Sequence, residues 1–262
     1  MRIVCFILLI SLLIATAVFG QSVTISGPAQ VELTEGKTYT CDWSSPDVVT
    51  VVVRIYGPRT PLGSASRGEF EFTPALTATG QPDQAQFIVP WVDAIQFTMK
   101  LKAYDFQGRL LAVKDQAYRF RPAILENRLK DGIYLDLHRR INQRLYVEKD
   151  GAITHCYLSS SSQNYLWLPR NRHIAKPHDH AGVFKVLDKS PSHWSKEFNV
   201  EMPWALHYLA GHYIHATSRR FYRYLGTPAS HGCNRLTRQD AKELYKATPV
   251  GTRVEVIGPS KR

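Results

Sequence analysis

Phe97, Met99, Leu101 and Ala103 alternate with Thr98, Lys100 and Lys102, the two-residue period of a strand with one buried face. Shorter apolar runs recur around it. Residues 31–33 stop at Glu35-Gly36, 39–43 at Ser44-Ser45-Pro46, 48–56 at Gly57-Pro58, and 86–89 at Pro90. After the turn Tyr104-Asp105-Phe106-Gln107-Gly108, apolar residues resume over 109–113. This half shows no helical period. Strands at this spacing predict an immunoglobulin-like β-sandwich over residues 21–121, without the Cys…Trp…Cys spacing of antibody domains. It offers no candidate for catalysis, so a spacer or docking role is expected of it.

The pattern changes after Phe120-Arg121-Pro122-Ala123, which reads as a link to a second unit, 122–262. Ile133, Leu135 and Leu137 alternate. Residues 145–147 lead into Lys149-Asp150-Gly151, and apolar residues return at Ile153; Asp-Gly between apolar runs marks a hairpin. Residues 182–187 read as a strand, and Tyr213-Ile214-His215 as a short one ending on a histidine. Thr237 is placed to cap a helix, with Asp240 three residues on. Ala241, Leu244 and Tyr245 give that helix an apolar face, Pro249 and Gly251 stop it, and 253–257 is a last strand. The second unit is therefore expected to be mostly β with a short helical cap.

The amino terminus carries Arg2, an apolar run over 3–18, and small residues at Ala15, Ala17 and Gly20, the pattern of a cleaved signal peptide over 1–20. The run is shorter than the roughly 20 residues a spanning helix needs, so no stable membrane span is expected after cleavage. Charge sharpens the division into two units. Of the formal +11, the segment 21–121 contributes nothing, with ten Lys and Arg against ten Asp and Glu, whereas 122–262 carries 22 against 12 and all ten histidines. A basic unit wants an anionic partner. Export disfavours nucleic acid and favours an anionic polymer of the cell envelope. Three cysteines survive signal removal: Cys41, Cys156 and Cys233. Either Cys41 is a buried thiol or it bridges to Cys156; in both cases Cys233 is the leftover thiol.

Cys233 stands in Ser230-His231-Gly232-Cys233-Asn234-Arg235-Leu236, with His215 eighteen positions upstream. A thiol after a glycine, on a turn placed immediately before the helix, has reason to be reactive. Helix amino termini and nearby cations favour thiolate. A histidine within reach supplies the base of an activated nucleophile.

These residues resemble the active site of L,D-transpeptidases of the YkuD type. The similarity runs from about Lys130 to Ile257 and takes in Asp150-Gly151, Gly182-Val183-Phe184, Met202-Pro203-Trp204-Ala205-Leu206-His207, His215-Ala216-Thr217, Leu225-Gly226, the Cys233 motif and Gly251-Thr252-Arg253-Val254. The resemblance implies a β-sandwich with a small helical cap and an exported enzyme of the periplasm or cell envelope. It implies attack on the tetrapeptide stem of peptidoglycan, loss of D-Ala, and transfer of the acyl group from a thioester to an amine acceptor, which is a second stem peptide, a D-amino acid or a wall protein. It implies Cys233 as nucleophile and His215 as base, with the Ala216 carbonyl orienting the imidazole. Backbone N–H groups around Gly232 and Cys233 would hold the oxyanion, with Ser230 and His231 shaping the turn. Arg235 would anchor a substrate carboxylate, with Asn234 and Trp204 as further substrate contacts. No step needs a cofactor or a metal.

The chain departs from the family pattern at Ala216, often Gly; at Asn234, commonly Ile, Leu or Val; and at Asp179-His180-Ala181-Gly182, often Thr-Pro-x-Gly. Three readings stay open: a transpeptidase, a carboxypeptidase-type cysteine hydrolase on the same scaffold, and a wall-binding protein without activity. The intact Cys233 and His215 argue against the last. His173, His178, Asp179 and His180 have the composition of a zinc site or of a solvated loop. Trp194 and Trp204 suit a donor groove or the core. Phe221, Tyr222 and Tyr224 with Arg219, Arg220 and Arg223 suit a sugar-binding face or an exposed loop.

Overall fold

The computed structural model describes residues 22–58, 69–138, 142–162 and 181–258. The signal-peptide reading of 1–20 and the cluster His173, His178, Asp179 and His180 lie outside the described residues.

The first half is built from β1 (Ile25–Ser26), β2 (Glu32–Thr34), β3 (Thr38–Trp43), β4 (Thr50–Pro58), β5 (Glu69–Phe72), β6 (Thr77–Ala78), β7 (Gln84–Ile88), β8 (Gln96–Tyr104) and β9 (Leu110–Arg121). They form two sheets, ordered β1-β3-β7-β6 and β2-β9-β8-β4-β5. Leu33, Val53, Ile55, Phe87, Met99 and Leu101 meet in one core. Along β8 every second residue is buried, as its alternation predicts. Cys41 belongs to that core. Its Sγ donates to the Ala85 carbonyl at 3.5 Å, and burial pushes the thiol up to about 11. Cys41 and Cys156 are not bridged, so the first of the two readings for Cys41 holds.

A 3-10 turn (Ala123–Leu125) leads into β10 (Gly132–Asp136), β11 (Arg144–Lys149), β12 (Ala152–Leu158), β13 (Gly182–Lys185), β14 (Asp188–Ser195), β15 (Val200–Leu209), β16 (His212–Ala216), β17 (Asn234–Leu236), α1 (Arg238–Ala247) and β18 (Arg253–Ile257). One sheet is ordered β12-β11-β10-β18-β13 and the other β14-β15-β16-β17. The fold is mostly β, as the pattern predicts. Asp150 and Gly151 both take positive φ (53° and 74°), the backbone of a two-residue hairpin, and they join β11 to β12. Thr237 caps α1 by accepting a hydrogen bond from the Asp240 N–H. At the other end of α1, the Lys189 ammonium donates to the carbonyls of Tyr245 and Thr248. Ala241 and Leu244 face inward beneath β15 and β16.

One strand departs from its sequence pattern. β10 alternates, yet all five of its residues are buried. Ile133 and Leu135 enter the main core, while Tyr134 joins Leu125, Tyr146, Ile153 and Ile257 in a second cluster on which Ile95 of the first half packs. The face expected to meet water is covered by Leu125, Tyr146, Ile153 and Ile257 of the same half, with Ile95 packing on them from the first half.

Buried charges join the halves at the same place. Arg144, with no exposed surface, donates to Asp93 Oδ1 at 2.7 Å and lies 5.6 Å from the centroid of the Trp91 ring. Arg121 bridges Glu32 (2.5 Å) and Glu148 (2.9 Å).

Candidate active site

The site is made where two short strands run side by side. β17 pairs in parallel with β16, placing Arg235 opposite His215. Cys233 immediately precedes β17. Because side chains alternate along a strand, Cys233, His215 and Arg235 share one face while Asn234 and Leu236 enter the core. The three line one cavity of about 300 Å³ together with Met202, Phe198 and Gly211.

Four successive residues hold the nucleophile's turn. Ala229 and Ser230 both donate their N–H to the Ser161 carbonyl, at 2.9 and 2.8 Å. Ser230 Oγ donates to the Cys233 carbonyl at 2.5 Å and accepts the Gly232 N–H at 3.2 Å. The His231 ring lies 4.8 Å from that of Phe198. The turn is thus pinned from beneath by the buried run Ser159 to Ser162. That run reads as a loop in the sequence. Its backbone is satisfied by Gln143, whose Oε1 accepts from the Ser161 N–H at 3.0 Å, and by Arg235.

His215 is buried, and its Nδ1 lies 2.8 Å from the Ala216 carbonyl. A carbonyl only accepts, so Nδ1 carries the hydrogen and Nε2 keeps its lone pair. Burial lowers the imidazole to about 4; the Ala216 carbonyl opposes this, and Arg235 and His193 reinforce it. Burial likewise pushes the Cys233 thiol up to about 11, against smaller lowering effects of the Tyr213 backbone and Arg235. Cys233 Sγ lies 3.8 Å from the Gly211 carbonyl and 4.0 Å from Met202 Sδ.

This corrects one expectation. Cys233 does not sit at the mouth of the helix: β17 and the cap Thr237 intervene before α1 begins at Arg238. The dipole's influence fades within a turn of the helix end, so it gives the thiolate no help here. At neutral pH the resting pair is an uncharged thiol beside an uncharged imidazole.

The other expected contacts divide. Arg235 faces the cavity; its Nη1 donates to the Ala229 carbonyl at 2.9 Å and its guanidinium lies 5.5 Å from the Phe221 ring centre. Asn234 turns inward and donates to the Tyr208 hydroxyl at 2.9 Å, so it is a core hydrogen-bonding residue rather than a cavity contact. Trp204 takes φ 56° in β15 and packs on the opposite side, against Tyr245 of α1 at 5.4 Å and beneath Lys242 at 5.5 Å. Trp194, exposed, lines a neighbouring cavity. The residues that sequence reasoning missed are Met202, Gly211 and Ser161. Met202 stands in the motif-like run 202–207, a signal that pointed to Trp204 instead. Among the described residues no group of His, Cys, Asp or Glu has the make-up of a metal site.

Residues 138–256 match the family model of the YkuD L,D-transpeptidase catalytic domain. No curated protein matches the chain. Among solved structures, the chain is similar to an L,D-transpeptidase of Xylanimonas cellulosilytica (22% identity, TM-score 0.43, 52% of this chain and 64% of that one). It is also similar to one of Stackebrandtia nassauensis (24%, 0.39, 53% and 65%). It spans less than two thirds of either of those chains. A third, from Mycobacterium tuberculosis, aligns over 89% of this chain and 96% of its own at 17% identity and a TM-score of 0.38.

Proposed function

We propose, from the premise that residues 138–256 carry an L,D-transpeptidase catalytic domain, that this protein is an exported cysteine acyltransferase acting on the stem tetrapeptides of peptidoglycan. The observation that carries the reading is the convergence of Cys233 and His215 on one cavity, with His215 Nδ1 held by the Ala216 carbonyl so that Nε2 is the basic nitrogen. The amino-terminal pattern supports export. Among the described residues no helix is long and apolar enough to cross a membrane.

The steps follow from the resting charges. With the thiol near 11 and the imidazole near 4, a standing thiolate–imidazolium pair is disfavoured, so His215 Nε2 takes the thiol proton as sulfur attacks the amide carbon. The Gly232 N–H is already given to Ser230, which leaves the Cys233 N–H as the oxyanion donor from this turn. The proton on His215 passes to the leaving amine, D-Ala departs, and the thioester remains on Cys233. An amine then resolves the thioester, His215 taking its proton and returning it to sulfur. Arg235, which lines the cavity, is the carboxylate anchor.

The test is incubation of the mature protein with tetrapeptide muropeptides. D-Ala release with cross-linked or exchanged products supports transfer. Tripeptide alone supports the hydrolase. No release, with the substrate merely retained, supports a binding protein.

A further inference from the structure

Gln143 does not line the catalytic cavity, yet the stretch that carries Cys233 rests on it. Its N–H donates to the Gly226 carbonyl at 2.8 Å, its own carbonyl accepts the Ser159 N–H at 3.1 Å, and its side-chain Oε1 accepts the Ser161 N–H at 3.0 Å. Gly226 gives its N–H back to the Ser159 carbonyl at 3.0 Å. It takes φ 91°, and a Cβ there would stand 2.9 Å from Leu158 Cδ2, so glycine is required at this junction. Further along, the Ser161 carbonyl receives Ala229 and Ser230, and Ser160 exchanges backbone hydrogen bonds with Arg235 at 3.0 and 2.9 Å. The stretch 226–235 is therefore seated at its start, middle and end on Gln143 and the serines. That seat is fixed from the first half of the chain. Arg144 Nη1 donates to the Gln143 carbonyl at 3.1 Å, while its Nη2 donates to Asp93 Oδ1 at 2.7 Å. Asp93, Gln143, Arg144 and the four serines 159–162 are all buried. A buried polar network holds one geometry only while it is complete, because a lost partner leaves a polar group stranded.

We propose that Gln143 is a positioning residue for the reaction at Cys233, and that Asp93, acting through Arg144, is the outer end of that support. The first half then contributes to the active site without touching substrate, a role beyond that of a spacer. This rests on the acyl-transfer reading above. Attack needs Cys233 Sγ aligned at once with the amide carbon and with His215 Nε2. His215 stands on β16, and Cys233 on the turn before β17, so their alignment depends on how firmly that turn is seated. The line of contact is continuous: Asp93 to Arg144, Arg144 to the Gln143 carbonyl, Gln143 Oε1 to Ser161, and Ser161 to Ala229 and Ser230. Ser230 Oγ closes it on the Cys233 carbonyl. A displacement of about 1 Å at the reacting atoms costs on the order of 100-fold in rate and leaves the fold standing.

The test uses the full-length mature protein and reads carbapenem acylation by stopped flow, separating the affinity of the first encounter from the maximal rate, with urea unfolding alongside. Gln143→Met keeps the side chain's length and removes its acceptor. The maximal rate should fall by roughly 10–100-fold with the encounter affinity unchanged. Gln143→Glu keeps an accepting oxygen and should restore most of the rate. Asp93→Leu/Arg144→Met removes the outer support and strands no charge, so it should unfold near the wild-type midpoint and still acylate several-fold more slowly. A merely structural role moves rate and stability together, and this variant separates them. Where Gln143→Met does not fold, the double variant decides. Wild-type rates in Gln143→Met, or a Gln143→Glu variant as slow as Gln143→Met, overturn the role of Gln143. A double variant with the wild-type rate overturns the role of Asp93 and of the first half. Absence of any acyl-enzyme in the wild type overturns the acyl-transfer reading itself.

Discussion

Burial makes His215 and Cys233 uncharged partners, and that dictates how activity and stability respond to pH. The neutral imidazole is the working base. Acylation should therefore hold level from about pH 5 to 9 and fall as pH drops through about 4, the imidazole's own position, instead of through the ordinary histidine range near 6.5. Stopped-flow acylation by a carbapenem, read across that range, checks this; a limb near 6.5 would show that the imidazole is not desolvated. The same displacement enters stability. Between pH 6.5 and 4 the unfolded chain takes up a proton at His215 that the folded chain refuses. Stability present above 6.5 is therefore lost as pH falls through that window, by up to about 3 kcal/mol. His215→Gln should flatten that part of the stability curve, measured by urea unfolding. Removing the base should slow acylation by roughly 10²–10⁴-fold, and Cys233→Ala should abolish the adduct.

The elements around the site differ in how openly the sequence announces them. β8, the Asp150-Gly151 hairpin, the Thr237 cap and β18 are readable because each is written in a local rule: alternation, turn chemistry or capping. The nucleophile and base are readable as residue types with a familiar spacing. β17 is not readable. Three residues between a reactive turn and a helix cap are too few to show a period, so Cys233 was expected at a helix end and lies instead on a strand end. The serines 159–162 fail for a different reason: their burial depends on distant partners, Gln143, Arg235 and Ser230, that no local window contains. Trp204 suited a donor groove or the core, and a left-handed backbone in β15 turns it onto α1 and the core. The turn itself is testable. Ser230→Ala removes the hydroxyl that ties Gly232 to Cys233, and should slow acylation by roughly 10-fold while costing about 1 kcal/mol in urea unfolding, one hydrogen bond's worth. Thr237→Ala should show the reverse balance, losing about 1 kcal/mol of stability with acylation little changed, since the cap holds α1 and not the thiol.

At the scale of the whole molecule, the sequence suggests two separable units and the structure ties them with buried charge. The neutral first half and the basic second half meet where Arg144 reaches Asp93 and stacks near Trp91, and where Arg121 bridges Glu32 to Glu148. Arg144 follows Gln143, the residue whose side chain holds the Ser161 N–H beneath the nucleophile's turn. Pairing two charges in a dry interface costs desolvation, so the pair adds less than its Coulomb energy suggests, yet breaking it strands the survivor. Asp93→Ala should therefore destabilise the protein by about 3–5 kcal/mol, read from urea unfolding. Replacing both partners, as Asp93→Leu/Arg144→Met, should recover most of that loss, because no unpaired charge remains. If instead the single variant unfolds as the wild type does, Arg144 finds water or another partner when Asp93 is gone, and the halves are as separable as their compositions suggest. Residues from 123 onward, expressed alone, should then fold with the wild type's unfolding midpoint; with the buried pair intact as drawn, they should unfold at markedly lower urea.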